Sequence, residues 1–550
     1  MTGELQELVQ SFVKTEFGVD QIVVFLRSDE SHGDFSCNIA MQIAGKVGRS
    51  PREVAEKIVQ HIQESNLAKS VDIAGPGFIN VTLSDDTIYK GIYWQKPNID
   101  QTVLLEYSCP NAFKELHTGH LYQTLIGDSM GRVYEFCGSR VVRTSFGGDV
   151  GLHAAKCLWG MIQELGGENP DKLDEVTDRA TWISQAYVNG SKAYEENEVA
   201  KPQIDQINQQ IYQLFESGDQ DSNFAKIYFI TRQWSYDYFD NFYLSINAHS
   251  FDAYYPESQT MVPGLEIVKA HPNVFVQSEG AVVLPEETSG LHTRVFITSA
   301  GLPTYETKDL GVIQLEKRQF SYDKRVIVTG NDQSQYMQVV FKALELIDSE
   351  LSAKQRHVAN GTVRFGDGKK MSSRLGNVSK ATDVIDGVEA SVSHDDPEVR
   401  RQVTLGAVKY SMLKSRVGGD IAFDLDQSIS TEGNSGPYLQ YALVRARSIL
   451  RKIGDVADVT QAGDLDEFER RLAFKLSEVP DILNSTITDF SPHHICTYLY
   501  ELATTFNQFY ENSRVIDDPR AGLRAKLVDQ YEKTLTTGLQ LLGMPTPETM

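Results

Sequence analysis

Residues 103–146 read VLLEYSCPNAFKELHTGHLYQTLIGDSMGRVYEFCGSRVVRTSF. The opening run Val103-Leu104-Leu105, with Glu106, Tyr107 and Ser108 behind it, suits a buried strand of a parallel sheet, closed by Pro110 and Asn111. Leu121, Leu125, Ser129, Val133 and Cys137 then recur at helical spacing, Gly138 stands where a C′ residue would, and a β-branched run extends from Val141 to Phe146. The spacing predicts a strand, a helix and a second parallel strand joined by a right-handed crossover. Sheets built from such units take ligands outside the carboxyl ends of their strands, where a helix N-terminus offers free N–H groups and partial positive charge. His117 and His120 fall at that point, three apart on one face of the first turn. Gly119 between them removes a side chain where a nucleotide would approach. Two imidazoles can donate to phosphate oxygens without a lysine's fixed charge. The same pair also fits two zinc ligands or two ordinary surface histidines, and the residues alone leave these readings open, although no Cys or acidic ligand set accompanies the pair.

The longer string from Glu106 to Gly119, EYSCPNAFKELHTG, is more specific. His117 to His120 resembles the HxGH signature of class I aminoacyl-tRNA synthetases, and the E-x-S-x-P-N-x-x-K run before it is similar to the signature of the arginyl-tRNA synthetases. The resemblance implies a Rossmann-like catalytic domain with a parallel sheet. It also implies a reaction: arginine is activated with ATP to arginyl-adenylate and passed to the 3′-terminal adenosine of tRNA(Arg). His117, His120 and Lys114 would be catalytic, with Gly119 beside the ATP.

Composition fits such a protein. With 550 residues the chain can hold about three domains, each with its own core. Hydrophobic residues at 41% and charged residues at 23% describe an ordinary soluble globular protein. No apolar run is long enough for a membrane span, and MTGELQELVQ has neither a basic nor an apolar leader region, so a cytoplasmic protein without membrane contact is expected. The five cysteines are scattered without a CxxC pair, which predicts reduced packing residues and no structural metal. A net charge of −23 excludes an indiscriminate nucleic-acid binder, so RNA contact must use local basic patches.

Residues 1–95 read as a separate α+β domain. Val54, Ile58 and Ile62 share a helix face, and residues 71–83 alternate like strands around Gly75-Pro76-Gly77. HGDFSCNIAMQ and GPGFINVTL resemble the N-terminal domain by which arginyl-tRNA synthetases contact the outer corner of tRNA; by residue type alone, Phe78 and Asn80 suit core and turn packing.

Residues 96–385 read as the catalytic α/β domain, with a helical insertion over about 160–250. Gly147-Gly148-Asp149 resembles the family's GD loop. In GLPTYETKDLGV, residues 301–312, a helix would point Tyr305 and Asp309 the same way. The string resembles the family's Y-x-T-[KR]-D pocket motif, which implies an arginine site of Glu106, Asn111, Tyr305, Asp309 and Gln333, with Gln335 as the alternative to Gln333. A guanidinium keeps its charge and offers planar donors, so it calls for fixed carboxylates, here Asp309 and Glu106.

GTVRFGDGKKMSSRLGN, residues 361–377, carries flexible cations and hydroxyls suited to a leaving pyrophosphate. It resembles the KMSKS loop, implying ATP contacts from Lys370, Met371, Ser372 and Ser373, with Lys370 catalytic. The loop's usual second lysine is Ser373 here; arginyl enzymes often depart in this way, a lysine just before HxGH substituting, and Lys114 stands in that place. Mg2+ would accompany ATP.

Residues 386–550 read as a helical domain that resembles the family's anticodon-binding domain. Helices are predicted after Ser435, Ser491 and Asp518, with proline near N1 and a Leu523, Leu527, Tyr531, Leu535, Leu542 core stripe. Lys409, Lys414, Arg416, Arg445, Arg447, Arg451 and Lys452 are the candidate phosphate-facing stripe. A monomer is expected.

Overall fold

Val103, Leu104 and Leu105 are wholly buried because their strand, β1 (Thr102–Glu106), lies in the middle of a five-stranded sheet. The other strands are β2 (Arg140–Gly147), β3 (Ala253–Pro256), β4 (Lys324–Gly330) and β5 (Gln355–Asn360), in the order β5-β4-β1-β2-β3. Every pairing in it is parallel, with Leu105 opposite Arg143 on one side and Val326 on the other. The chain therefore runs outward from β1 through β2 to β3, then returns to the far side of β1 for β4 and β5. That reversal opens a crevice at the carboxyl ends of β1 and β4. In a computed structural model of the chain, residues 2–28, 32–365, 380–454, 459 and 463–550 are described.

β1 stops at Glu106, short of the expected Ser108, because Ser108 (φ +67°) and Cys109 (φ +51°) turn the backbone left-handed. Helix α1 (Thr118–Phe136) buries Leu121, Leu125, Ser129 and Val133, with Ser129 Oγ donating to Leu541 O at 3.0 Å, and Gly138 (φ +93°) closes it as the spacing predicted. Between β2 and β3 come the helices Leu152–Leu165, Arg179–Glu196, Ala200–Ser217 and Asn223–Ser245, packed on a core that includes Leu158, Met161, Ile183, Ile204, Ile211 and Tyr228. The first of these begins well before residue 160, the expected start of the insertion, since Ala154, Ala155, Cys157 and Leu158 already belong to its buried face. An antiparallel sheet of Val276–Ser278, Ala281–Leu284 and Arg294–Ile297 precedes helix α2 (Tyr305–Gln319), and α3 (Ser334–Ile347) joins β4 toward β5.

Among its described residues, the region expected to be all helical after residue 386 contains one strand, Ile421–Phe423, paired in parallel with Val363–Phe365. Helix Gly436–Ile453 takes Pro437 as its second residue, whereas His493–Asn512 and Ala521–Leu541 begin after Pro492 and Pro519, and the Leu523 to Leu542 stripe is buried.

Two compact units emerge: residues 97–441, 485–497 and 538–550, and residues 1–96, 442–484 and 498–537. In the second, the sheet of Leu26–Arg27, Phe35–Cys37, Phe78–Leu83 and Ala68–Ala74 is antiparallel throughout. Helix Pro51–Glu64 is fixed by a Ser50–Glu53 capping box and buries Val54, Ile58 and Ile62. Phe78 is not core: strand alternation turns Ile79, Val81 and Leu83 inward and leaves Phe78 41% exposed. Arg470, on helix Glu467–Leu476, donates to both carboxylate oxygens of Asp34 at 3.0 and 2.8 Å and to Asp85 at 3.1 Å, so the HGDF segment ties the small sheet to the helices of its own unit.

Two members of the basic stripe do not face solvent. Lys409 is 1% exposed and donates to Asn247 O at 3.2 Å, and Arg447 is held by Glu532 at 2.9 Å. Helix Pro397–Leu413 is buried over most of its last three turns, so a lysine there lies inside.

Candidate active site

The N-terminus of α1 is closed by its own histidines. His117 is the N-cap: its Nδ1 accepts from Gly119 N at 3.0 Å and His120 N at 3.3 Å, while His120 Nδ1 accepts in return from His117 N at 3.2 Å. This is a capping box made of two imidazoles, stacked with centroids 3.6 Å apart. It corrects the expectation of free amides for an anion, since those of Gly119 and His120 are already taken. It also corrects the reason for Gly119: a Cβ there would meet His117 Cε1 at 2.9 Å and Nδ1 at 3.0 Å, so the room above the glycine belongs to the His117 ring.

The box fixes the tautomer. A neutral imidazole whose Nδ1 accepts carries its proton on Nε2. Burial, aided by the charge of Lys114, holds both histidines below the usual histidine range, His120 far below. At neutral pH the pair therefore presents two uncharged Nε2–H donors.

These donors line a cleft of about 800 Å³ at the crevice between β1 and β4, together with Gly119, Glu106, Asn111, Tyr305, Asp309 and Gln333. Every sequence-predicted residue of the arginine site is thus brought into one place; Gln335 is not among the lining residues. Asn111 Oδ1 accepts from Gly148 N at 2.8 Å, which fastens the loop after β1 to the loop after β2. Asp149 beyond it is completely buried and accepts from Tyr228, Arg232 and Ser258, so the GD loop anchors the insertion and helix Glu257–Ala270.

Tyr305 and Asp309 both reach the cleft from α2, but Tyr305 is 65% exposed at its rim and Asp309 5% exposed at its floor. Asp309 Oδ2 accepts from the Tyr336 hydroxyl on α3. Glu106 is fully buried and paired with Arg325 Nη2, whose Nε also meets Glu316 at 2.5 Å. Glu257 pairs with Lys308 close by. Four carboxyls, Glu106, Glu257, Asp309 and Glu316, thus face two cations, Arg325 and Lys308, and the floor keeps an excess of negative charge when all are ionised. Burial and these neighbours push Asp309 up to about 7, against the pull of Arg325. Burial likewise pushes Glu106 up to about 8.

Arg325, Glu316, Tyr336, Glu257, Lys308 and His153 were not singled out from sequence. Arg325 carried a signal: a charged residue at the head of RVIVT, in a strand buried on both faces, requires a buried partner of opposite charge. His153 lines the cleft and is lowered to about 4 by burial. Of the five free cysteines, Cys109 alone is half-buried and borders the cleft, its Sγ 4.0 Å from Glu106 Oε1; burial raises its thiol well above the usual range.

Lys114 lies outside the cleft lining. Its Nζ sits 4.8 Å from the centroid of the Tyr187 ring, yet its charge reaches His117, His120 and His153. Lys370, Met371, Ser372 and Ser373 lie outside the described residues. The chain before them, at Val363, lines the cleft, and Lys380 after them forms an antiparallel bridge with His117. Among the described residues no group of three or more His, Cys, Asp or Glu is arranged to hold a metal ion.

Comparison with known proteins gives concordant matches. The family model described as tRNA synthetases class I (R), catalytic domain, matches residues 82–425; the arginyl tRNA synthetase N terminal domain matches 2–83 and the DALR anticodon binding domain 439–550. The chain is 30% identical to an arginine–tRNA ligase of Shewanella sp. (strain ANA-3), covering 96% of this chain and 95% of that one. It is 31% identical to that of Thermobifida fusca (strain YX), covering 94% of each. The fold matches Thermus thermophilus arginyl-tRNA synthetase with a TM-score of 0.82 at 24% identity, covering 100% of both chains.

Proposed function

The chain belongs to the arginyl-tRNA synthetases of class I, ATP-dependent arginine–tRNA ligases, and we propose how its cleft carries out that family's two steps. The observation that carries the reading is the juxtaposition in one crevice of two neutral Nε2–H imidazoles and a carboxylate-rich floor. Asp309, and Glu106 beside its bond to Arg325, select the guanidinium, whose charge favours their ionised forms, with Asn111, Tyr305 and Gln333 as neutral hydrogen-bonding partners. The arginine carboxylate, ionised without help from a base, attacks the α-phosphate of ATP; the bond to the β-phosphate breaks and pyrophosphate departs. His117 and His120 donate to the phosphate oxygens as charge gathers there, while Gly119 leaves the His117 ring room to stay in place. Lys114 and Lys370 supply cationic charge, and Met371, Ser372 and Ser373 complete the ATP site from their loop. Mg2+ travels with ATP as part of the substrate. In the second step the 2′-OH of the terminal adenosine of tRNA(Arg) attacks the arginyl carbonyl, and AMP leaves.

Residues 1–95 contact the outer corner of the tRNA, residues 96–385 perform catalysis and residues 386–550 bind the anticodon. The enzyme works as a cytoplasmic monomer; no helix among the described residues is long and apolar enough to cross a membrane. Exchange of labelled pyrophosphate into ATP, measured with each amino acid and with or without tRNA(Arg), tests the reading. Exchange with arginine alone among them supports it, and equal exchange with lysine or citrulline rejects the acidic pocket.

A further inference from the structure

The residues just before the paired histidines are held from two directions. Lys114 rests on the Tyr187 ring, and Glu115 Oε2 accepts from Ser184 Oγ. Ser184 and Tyr187 are three apart on helix Arg179–Glu196 of the insertion and so share a face. The same Glu115 oxygen takes Lys380 Nζ at 2.6 Å. Lys380 pairs its backbone with His117, and Ala381 N donates to Leu116 O at 2.8 Å. One carboxylate oxygen thus joins the insertion, the segment beginning at Lys380 and the turn that leads into α1.

We propose that Glu115 is a positioning residue for arginine activation: by holding Ser184 and Lys380 together it fixes residues 114–117 and so aims the Nε2–H donors of His117 and His120. This rests on the roles given above to those histidines. The physical need is specific. The His117 ring is held by backbone amides of its own helix, so its aim follows the backbone of 116–118, which the bonds from 115 and 380–381 help restrain from outside. A displacement of about 1 Å is enough to cost 10²-fold in a positioned reaction. Glu115 and Lys380 are 20% and 44% exposed, so a half-solvated pair contributes little to overall stability. Its effect belongs to geometry.

The test measures arginine-dependent pyrophosphate exchange with tRNA present in the full-length enzyme. Glu115→Ala is expected to lower kcat at least tenfold while arginine KM stays within about twofold and the melting temperature is unchanged. Glu115→Gln, which keeps the Ser184 contact but not the charge, should fall between. Lys380→Ala should lower kcat similarly, the Glu115→Ala/Lys380→Ala enzyme should be no worse than either, and the exchanged pair Glu115→Lys/Lys380→Glu should regain activity. Wild-type kcat in Glu115→Ala, or strictly additive losses in the double variant, overturns the proposal. Arginine-specific exchange by the parent and its collapse in His117→Ala test the active-site reading separately, so failure of Glu115 alone leaves that reading standing.

Discussion

Glu106 and Asp309 border the same cleft but are held differently, and their substitutions should separate. Glu106 is committed to Arg325, whereas Asp309 accepts from a neutral tyrosine hydroxyl and has no cation bonded to it among the described residues, so a ligand's charge can draw it into the ionised form. Asp309→Asn should therefore cost arginine use roughly 2–5 kcal/mol in kcat/KM, as for one partner of a buried charge pair, with ATP KM near normal. An unchanged arginine KM and kcat would remove Asp309 from the pocket. Glu106→Gln leaves a buried guanidinium short of one carboxylate and should show much of its loss as stability, about 3–5 kcal/mol in denaturant titration. A pH effect follows from Asp309, whose folded pKa of about 7 lies above its unfolded value. Between an unfolded pKa of about 3.9 and about 7, the folded state holds the extra proton, so the ligand-free enzyme loses that contribution as pH rises through this window. A bound guanidinium favours the ionised form. Arginine should therefore bind more tightly, and raise the melting temperature more, at pH 8 than at pH 5.5; the difference should shrink in Asp309→Asn, with Glu106, pushed up to about 8, carrying what remains. A melting shift independent of pH would count against the assignment.

At the scale of elements, the start of α1 does two jobs with one pair of residues: the Nδ1 atoms of His117 and His120 cap the helix, and the same two rings line the cleft. Gly119→Ala tests that economy. Its Cβ would push into the His117 ring, so the cap should fail at a cost of about 1 kcal/mol. Exchange kcat should drop by roughly 10²-fold through misaimed donors. A stable variant with normal kcat would show that the ring has room elsewhere. The glycine was legible as a requirement for space, but not whose space, because a ligand and a neighbouring ring make the same demand on sequence. The left-handed turn at Ser108 and Cys109 was likewise not legible, since neither residue type favours positive φ.

At the scale of the molecule, Arg470 binds Asp34 and Asp85 within the unit of residues 1–96, 442–484 and 498–537. Arg470→Ala should weaken that unit by about 1–3 kcal/mol, as for lost charge-assisted hydrogen bonds, seen as faster proteolysis of the N-terminal domain with pyrophosphate exchange retained. Equal loss of both would mean that the two units unfold together. With a net charge of −23 the protein must meet RNA through local patches, and the burial of Lys409 and the pairing of Arg447 narrow the candidates to Lys414, Arg416, Arg445, Arg451 and Lys452. Affinity for tRNA(Arg) should still fall steeply with salt on a log–log plot, and pyrophosphate exchange should be small until tRNA is added. A flat salt response or robust exchange without tRNA would contradict this.

The sequence by itself determined the sheet, the helix that leaves it and the site they create, because burial on both faces, helical periodicity and the HxGH spacing are local demands on residue type. Through resemblance it also offered candidates for an arginine pocket, scattered from Glu106 to Gln333, which the fold brings to one cleft. Tertiary structure alone decided which of their atoms remain for a substrate. Arg325 lies in a different strand from Glu106, Tyr336 reaches Asp309 from another helix, and Lys409 disappears beneath Asn247. A charge in a sequence has no partner until the chain folds back on itself, and it is the partner that sets whether the group binds a ligand, titrates or holds the fold.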